Sequence, residues 1–465
     1  MFVPKPMCIH MVGIGGTGMS GIAELLLNMG YTVQGSDLAP SPVLERLERL
    51  GARVFIGHRP DHVEGADVVV VSSAIRDDNP EVLEARRRGV PVIHRVEMLT
   101  ELMRLKQGIA IAGAHGKTTT TSLIGMVLAD AGLDPTMVVG GRLKALGTNA
   151  YLGKGSWIVV ESDESDGSFL RLTPIIAVVT NIDREHLDRY GHFDALKDAF
   201  VQFCNQVPFY GAVVACLEDP QVQSILFRLK RRVLTYGLNP QSHYWADDVH
   251  LDGWQVHFRV HGEGETRRLR LNLPGAHNVL NALAAVATAR FIGIPWERIE
   301  ESLARFTGVE RRFQLKAQVD DVWIVDDYAH HPTEIVRTLE TARGFHRRLV
   351  VVFQPHRYSR VSFLWEDFTR CFYLADVLIV LPIYPAGEDP IPGVDAERLA
   401  EDIRQSGHRA VTYCASLEQA VETLVATVRP GDLVLTVGAG HVYRVGEALA
   451  RRLEGGRSDV GSPPV

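Results

Sequence analysis

Along this chain, short apolar runs of strand length alternate with longer stretches whose apolar residues recur every three or four positions. The first set reads CIHMVGI, a helical GMSGIAELLLNMG, YTVQGSD, a helical VLERLERLG, ADVVVVSSA, another helix, VPVIH and a helical VEMLTELMRL. Strands alternating with helices predict a parallel sheet covered on both faces, here closing near Lys106. A second set opens with GIAIAG, which runs into a Gly-rich turn and a helix, and continues through SWIVVES and IIAVVTN. Between residues 243 and 273 the pattern becomes alternating, predicting antiparallel strands joined at Asp252-Gly253 and around Gly262-Glu263-Gly264. After the helical NVLNALAAVATARF come VWIVDDY, LVVVFQP, ADVLIVLPI, AVTYC and DLVLTVGAG, each followed by helical sequence.

Three such sets suit 465 residues at roughly 100–200 per domain, and the 46% hydrophobic content gives each a core. Acidic residues number 56 against 49 Lys plus Arg, a net charge of −7, which leaves no electrostatic footprint for nucleic acid or an anionic membrane. No apolar run approaches the roughly 18 residues of a membrane span, and MFVPKPM does not read as a signal peptide, so a cytoplasmic location is expected. The five cysteines are scattered without a C-x-x-C pair, which argues against a disulfide frame or a cysteine metal site. The final ten residues, GRSDVGSPPV, are rich in Gly, Ser and Pro and are expected to form a disordered tail, 456–465.

Two glycine-rich turns carry the chemistry. Gly13-x-Gly15-x-x-Gly18 follows a strand and opens a helix, with Asp37 nineteen residues after Gly18 at the end of the second strand. Such glycines let backbone approach a diphosphate while the acid accepts from a ribose or base. A sugar-linked nucleotide diphosphate satisfies this geometry as well as a dinucleotide does, and close helix–strand packing alone would also call for glycine. The sharper signal is Gly113-Ala114-His115-Gly116-Lys117-Thr118-Thr119. Its backbone N–H groups can cradle phosphates, Lys117 can meet their charge, and the Thr118 hydroxyl can ligate Mg²⁺. It departs from the general G-x-x-x-x-G-K-[ST] spacing, because Ile111 stands where the first Gly would be. Only eight of the 49 basic residues are Lys, so Lys117 is not surface filler.

Two acidic or His-bearing runs, 161–166 (ESDESD) and 181–188 (NIDREHLD), end predicted strands, where ligands of parallel sheets gather. Each alone reads as a solvated loop; beside a phosphate loop a Mg²⁺ role becomes the better reading. In the third set, DDYAHHP and QPHRYSR again end strands, and their paired His and Arg suit a carboxylate.

These motifs, in this order, resemble the Mur ligases of peptidoglycan precursor synthesis, and within them the branch that joins L-alanine to UDP-N-acetylmuramate. The resemblance spans nearly the whole chain through GIGGTGMSGIAELL, GAHGKTTTT, ESDESDGSF, TNIDREHLD, LPGAHNVLNALAA, DDYAHHPTE, FQPHRYSR and AGEDPIPG. It implies an α/β fold of three domains: a Rossmann-like UDP-sugar domain at 1–107, a central P-loop-ATPase-like domain with an antiparallel side sheet at 108–310, and a Rossmann-like amino-acid domain at 311–455. It further implies an ATP-dependent carbon–nitrogen ligase using Mg²⁺, working through an acyl phosphate as a monomer or weak homo-oligomer. Residue by residue, it assigns Gly13, Gly15, Gly16, Thr17, Gly18, Met19, Ser36, Asp37 and Ser72 to the UDP-sugar, and Gly113, Ala114, His115, Gly116, Lys117, Thr118 and Thr119 to ATP. Thr118, Glu161 and His186 match the metal site, Asn278 and Asn281 lie near adenine, Arg312 meets phosphate, and Asp327 meets ribose. His330, His356, Arg357 and Arg360 grip the nascent amide and the alanine carboxylate, with His186 and His330 as candidates for taking the amine proton.

Three alternatives stand beside this: a murein tripeptide ligase of cell-wall recycling, a nucleotide-dependent dehydrogenase and a non-catalytic nucleotide sensor. One departure marks the branch. Sister ligases carry a carbamylated Lys about fourteen residues after the metal-site His, whereas the same count from His186 reaches Phe200, with Lys197 one helical turn earlier.

Overall fold

The computed structural model describes residues 7–72, 74–143, 148–165 and 167–455; the tail expected at 456–465 lies outside the described residues. Three sheets account for the three sequence sets. The first contains β1 (Cys8–Val12), β2 (Thr32–Asp37), β3 (Arg53–Ile56), β4 (Val68–Val71) and β5 (Val92–His94), all parallel in the order β3-β2-β1-β4-β5. The strand order reverses at β1, so the turn that follows it opens at the switch point, where doubly wound sheets receive ligands.

The second sheet has ten strands: β6 (Gln107–Ala112), β7 (Thr136–Leu143), β8 (Thr148–Tyr151), β9 (Trp157–Glu161), β10 (Ile176–Val179), β11 (Ala212–Cys216), β12 (Val233–Gly237), β13 (Tyr244–Asp252), β14 (Gln255–Gly262) and β15 (Glu265–Leu271). Their order is β15-β14-β13-β12-β11-β10-β6-β9-β7-β8. The expected hairpins are present, with the second closing through Glu263 and Gly264 at φ 53° and 77°, the left-handed pair that a tight two-residue turn requires. The parallel center reads as continuous apolar sequence because both faces are covered, as in the fully buried β11.

The third sheet contains β16 (Gln314–Val319), β17 (Val322–Asp327), β18 (Arg348–Phe353), β19 (Val377–Val380), β20 (Val411–Tyr413) and β21 (Asp432–Val437), ordered β16-β17-β21-β18-β19-β20. Here β16 pairs antiparallel with β17, so the sheet is mixed where the alternating pattern predicted only parallel strands. Separate apolar clusters cover its two faces, one around Phe353 and Phe368, the other around Val434 and Leu449.

The chain divides into two compact units, one of residues up to 249 with 257–272 and 278–309, the other of 250–256, 273–277 and the chain from 310 onward. In the first, one apolar cluster runs from the first sheet into the second, and helix Thr17–Asn28 packs on β7 and β8. In the second, Trp254 lies against Phe313, Trp323 and Phe345. All five cysteines are free, and four are buried. Among the described residues no helix is long and apolar enough to cross a membrane.

Candidate active site

The turn after β1 is held by the end of β2. Gly13 and Ile14 donate their N–H groups to the Ser36 carbonyl at 2.8 and 3.0 Å, and Gly15 N–H donates to Asp37 Oδ2 at 2.9 Å. A Cβ on Gly15 would lie 2.9 Å from that same carboxylate oxygen, so glycine is what lets Asp37 close on the loop. Helix Thr17–Asn28 begins at Gly16 without a side-chain cap, which leaves first-turn N–H groups available to an anion. Ser72 follows β4 and is half-buried.

Two residues assigned to the UDP-sugar face inward. The Met19 side chain belongs to the apolar core. Ser36 is fully buried and donates from Oγ to Glu81 Oε2 at 2.6 Å. Only the backbone of either can face a ligand. Glu81, itself fully buried, also accepts from His62 Nδ1 at 2.8 Å, His10 Nε2 at 3.2 Å and Arg59 N–H at 3.2 Å. Burial alone would raise its carboxyl, but hydrogen bonds from His10, Ser36 and His62 outweigh it and hold the group at about 2. Glu81 thus pins the ends of β2 and β3 beneath the first glycine loop.

The second loop leaves β6 and opens helix Lys117–Asp130. Gly113 has φ 136°, and a Cβ there would meet Thr180 Oγ1 at 2.1 Å. Gly116 has φ 79°, with Asn281 Oδ1 2.6 Å from its would-be Cβ. Residues 180 and 181, just beyond β10, fasten the loop: Asn181 Oδ1 accepts from His115 N–H at 2.8 Å, while Thr180 Oγ1 and Asn181 Nδ2 donate to the His115 carbonyl. Asn281 accepts from Thr120 Oγ1 and donates to Asn278, so these two buried amides brace the helix start. Thr119 is buried on the same turn.

Lys117 is turned into this cradle. Its ammonium donates to the Gly113 and Ala114 carbonyls and to Glu164 Oε1, the last at 2.8 Å. Burial works against its charge, but Glu164, Glu161 and Glu185 more than compensate and raise it, so Lys117 stays protonated. Burial raises Glu164 above the usual carboxylate range, partly offset by Lys117 and His186.

Thr118 Oγ1 donates to Glu161 Oε1 at 3.0 Å, and Glu161 Oε2 accepts from Gly140 N–H. His186 groups instead with Glu164 and Glu185, one ligating atom of each lying within 4.8 Å of the others. Its backbone is left-handed at φ 57°, a conformation that a non-glycine residue holds only under tight constraint. Glu164 Oε2 is buried without a hydrogen-bond donor. A glycine cradle, a buried ammonium and the unsatisfied carboxylate oxygen of Glu164 beside Glu185 and His186 fit a triphosphate with a divalent cation.

Phe200 is core, packed on Phe169 at 5.4 Å, and Lys197 Nζ caps the Phe193 ring at 4.8 Å.

In the third sheet Asp327 accepts from Phe313 and Ala329 N–H, each at 2.7 Å, and burial pushes it up to about 6 against the pull of Arg312. Arg311 ties Asp326 to the Gly438 carbonyl, while Arg312 lies over the Tyr328 ring. His330 Nδ1 lies 3.0 Å from the Tyr328 carbonyl, which only a protonated Nδ1 can serve, so a neutral ring keeps its lone pair on Nε2. Arg360 donates to His356 Nδ1 at 3.2 Å; burial, with His330 and three arginines nearby, brings His356 down to about 3. Arg357 has φ 68° and lies 4.0 Å from Glu388.

Glu164, Asn181 and Glu185 lie in the same strand-end runs as Glu161 and His186, and the strand-end signal applies to them equally. Arg95 and Glu81 gave no signal, because their partners are distant in sequence.

Known proteins share the three-part organisation of this chain. Residues 8–107 match the Mur ligase family, catalytic domain; 111–289 match the Mur ligase middle domain; and 311–440 match the Mur ligase, glutamate ligase domain. UDP-N-acetylmuramate–L-alanine ligase of Geotalea uraniireducens is 55% identical over 96% of this chain and 98% of its own length. The protein of that name from Geobacter sulfurreducens is 55% identical over 97% and 98%. Among solved structures, UDP-N-acetylmuramate-alanine ligase from Thermotoga maritima superposes with a TM-score of 0.82 at 30% identity, over 97% of this chain and all of that one. A murein peptide ligase from Psychrobacter arcticus gives 0.72 at 25% identity, over 98% of this chain and all of that one. With three family domains matched in order along the chain and a relative 55% identical over 96% of it, the chain belongs to the Mur ligase family.

Proposed function

We infer that this chain joins L-alanine to the carboxylate of UDP-N-acetylmuramate, converting ATP to ADP and phosphate, in the cytoplasm. The 55% identity across 96% of the chain to a relative named for that reaction carries the reading. We assign 1–107 to the UDP-sugar, 108–310 to ATP and 311–455 to the amino acid.

The chemistry requires activation, because a carboxylate and an amine at neutral pH form only a salt. Transfer of the γ-phosphoryl group to the muramoyl carboxylate breaks the terminal phosphoanhydride and makes an acyl phosphate with a good leaving group. The neutral amine of L-alanine then attacks the acyl carbon, and the tetrahedral intermediate expels phosphate. Both steps build negative charge. Lys117, protonated and buried, meets it with preorganised positive charge, and Arg312 is assigned to phosphate by the family motif alone. Thr118 with Glu161, and His186 with its neighbours Glu164 and Glu185, are the residues that would hold Mg²⁺, which would supply positive charge against the phosphates. His330, with Nδ1 fixed on a carbonyl, offers Nε2 to the amine proton. Arg360 and Arg357 are the carboxylate donors, and His356, kept neutral, leaves the positive charge to them.

The test is ADP release by the purified chain with ATP, Mg²⁺ and UDP-N-acetylmuramate, given either L-alanine or a muropeptide-type tripeptide. Turnover with L-alanine at least about a hundredfold faster is expected, since a site built for one small amine excludes the larger one. Preference for the tripeptide would replace this reading with that of a murein peptide ligase.

A further inference from the structure

The two glycine loops are linked through one ion pair that the chemistry above does not use. Arg95 opens helix Arg95–Arg104 and lies directly on Gly18: a Cβ there would be 2.4 Å from Nη1 and 3.3 Å from Cζ. Its other terminal nitrogen, Nη2, donates to Asp163 Oδ2 at 2.7 Å, and Asp163 Oδ1 accepts from Ser165 N–H. Asp163 adjoins Glu164, the partner of Lys117. Two consecutive acids therefore each hold one cation, Asp163 that of the first glycine loop and Glu164 that of the second.

The position of Arg95 is electrostatically odd. It stands in the first turn of its own helix and against the first turn of helix Thr17–Asn28, both of which carry positive partial charge that disfavours a cation. Neither helix gains from it. A guanidinium in such a place calls for an anion, and in this structure Asp163 provides one. The Asp163 side chain keeps 45% of its surface exposed while that of Arg95 keeps 22%, so the carboxylate can turn to solvent without leaving a buried charge.

We propose that Arg95 is a binding residue for the diphosphate of the UDP-sugar, and that Asp163 occupies its guanidinium until the diphosphate displaces it. This rests on the functional reading above and adds to it a contact and a competitor. A planar guanidinium offers two parallel donors to phosphate oxygens, which Asp163 engages with only one oxygen. Glycine at position 18 then serves the arginine as much as the ligand, because any side chain there would push the guanidinium away.

Calorimetric titration of the full-length chain with UDP, which carries the diphosphate without the sugar acid, and with UDP-N-acetylmuramate tests this. Arg95→Ala is expected to weaken both roughly 10- to 100-fold, and Arg95→Lys by less, since it keeps charge without the fork. Asp163→Asn, which still accepts from Ser165 N–H, removes the competitor and should bind UDP about threefold more tightly or better. A purely structural bridge predicts the reverse for Asp163→Asn, and thermal melts of each variant confirm that folded protein is compared. UDP affinity within twofold of the parent in Arg95→Ala, or weakened binding in Asp163→Asn, overturns the inference and leaves the functional reading intact. Failure of the parent chain to bind either ligand would sink both.

Discussion

The glycine loops at 13–18 and 113–117 hold the same place in the fold, between a buried parallel strand and a helix, yet groups of different charge stiffen them. In the first, the N–H of Gly15 is taken by the Asp37 carboxylate, so the loop carries an anion from its own sheet and depends on Arg95 for a cation. In the second, the neutral Asn181 and Thr180 hold the backbone, and the cation, Lys117, is part of the loop itself. Similar spacing of glycines therefore says where phosphate can approach but not what charge awaits it. That is decided by residues arriving from other strands and helices.

Removing the built-in cation should have the largest effect. Lys117→Ala is expected to lower ADP formation by at least about a thousandfold while leaving UDP affinity within twofold, measured by product release and by titration. Because Glu164 would be left buried and unpaired, the same variant should be less stable, and adding Glu164→Gln should recover stability without turnover.

The glycines sharpen the comparison at an intermediate level. Gly113→Ala combines φ 136° with a 2.1 Å approach to Thr180 Oγ1 and with the Asn181 backbone O and N at 2.9 and 3.0 Å, which cannot swing aside, and should lower ATP turnover about a hundredfold. Gly18→Ala meets only the far end of Arg95, which can swing aside, so UDP binding should weaken just 3- to 10-fold or so.

The smallest functional effect is expected beneath the first loop. Glu81→Gln should reduce stability by about 2–4 kcal/mol at pH 7 in urea denaturation, with UDP affinity falling only a fewfold. Glu81 is held at about 2 against an ordinary 4.5, so its contribution is complete above 4.5 and is lost as pH falls toward 2. The difference between parent and variant should shrink across that window. A constant difference down to pH 2 would show that packing, not the carboxylate charge, is what Glu81 supplies.

Most of the fold was legible because its central strands are buried on both faces and so read as apolar runs. The strands without a prediction are β3, β7, β8, β11, β12 and β16; β11 and β12 lie inside the ten-stranded sheet, and the other four lie at or near sheet edges. Arg53 and Gln314 begin strands with one wet face, and β7 interrupts its apolar run with Gly140 and Gly141, so none of these three shows a run or clean alternation. The site divides similarly. Gly113, Lys117, Glu161 and His186 were visible as motifs anchored to strand ends. Ser36 and Met19 are assigned to the UDP-sugar by motif alone, which does not record which way a side chain turns; both side chains turn inward, which leaves only their backbone for that role. Arg95, Glu81 and Asn281 matter through contacts 68, 45 and 161 residues away along the chain.

The four buried thiols have a consequence of their own. Burial raises Cys204 to about 12 and Cys216 to about 11, and Cys371 well above its ordinary value, so at neutral pH these three carry almost no reactive thiolate. Cys204 and Cys216 belong to one compact unit, Cys371 and Cys414 to the other. A thiol reagent can therefore modify these sites only when the surrounding structure opens, and each pair acts as a clock for the opening of its own unit. The chain carries, without any engineered label, separate reporters of how often its two halves come apart internally.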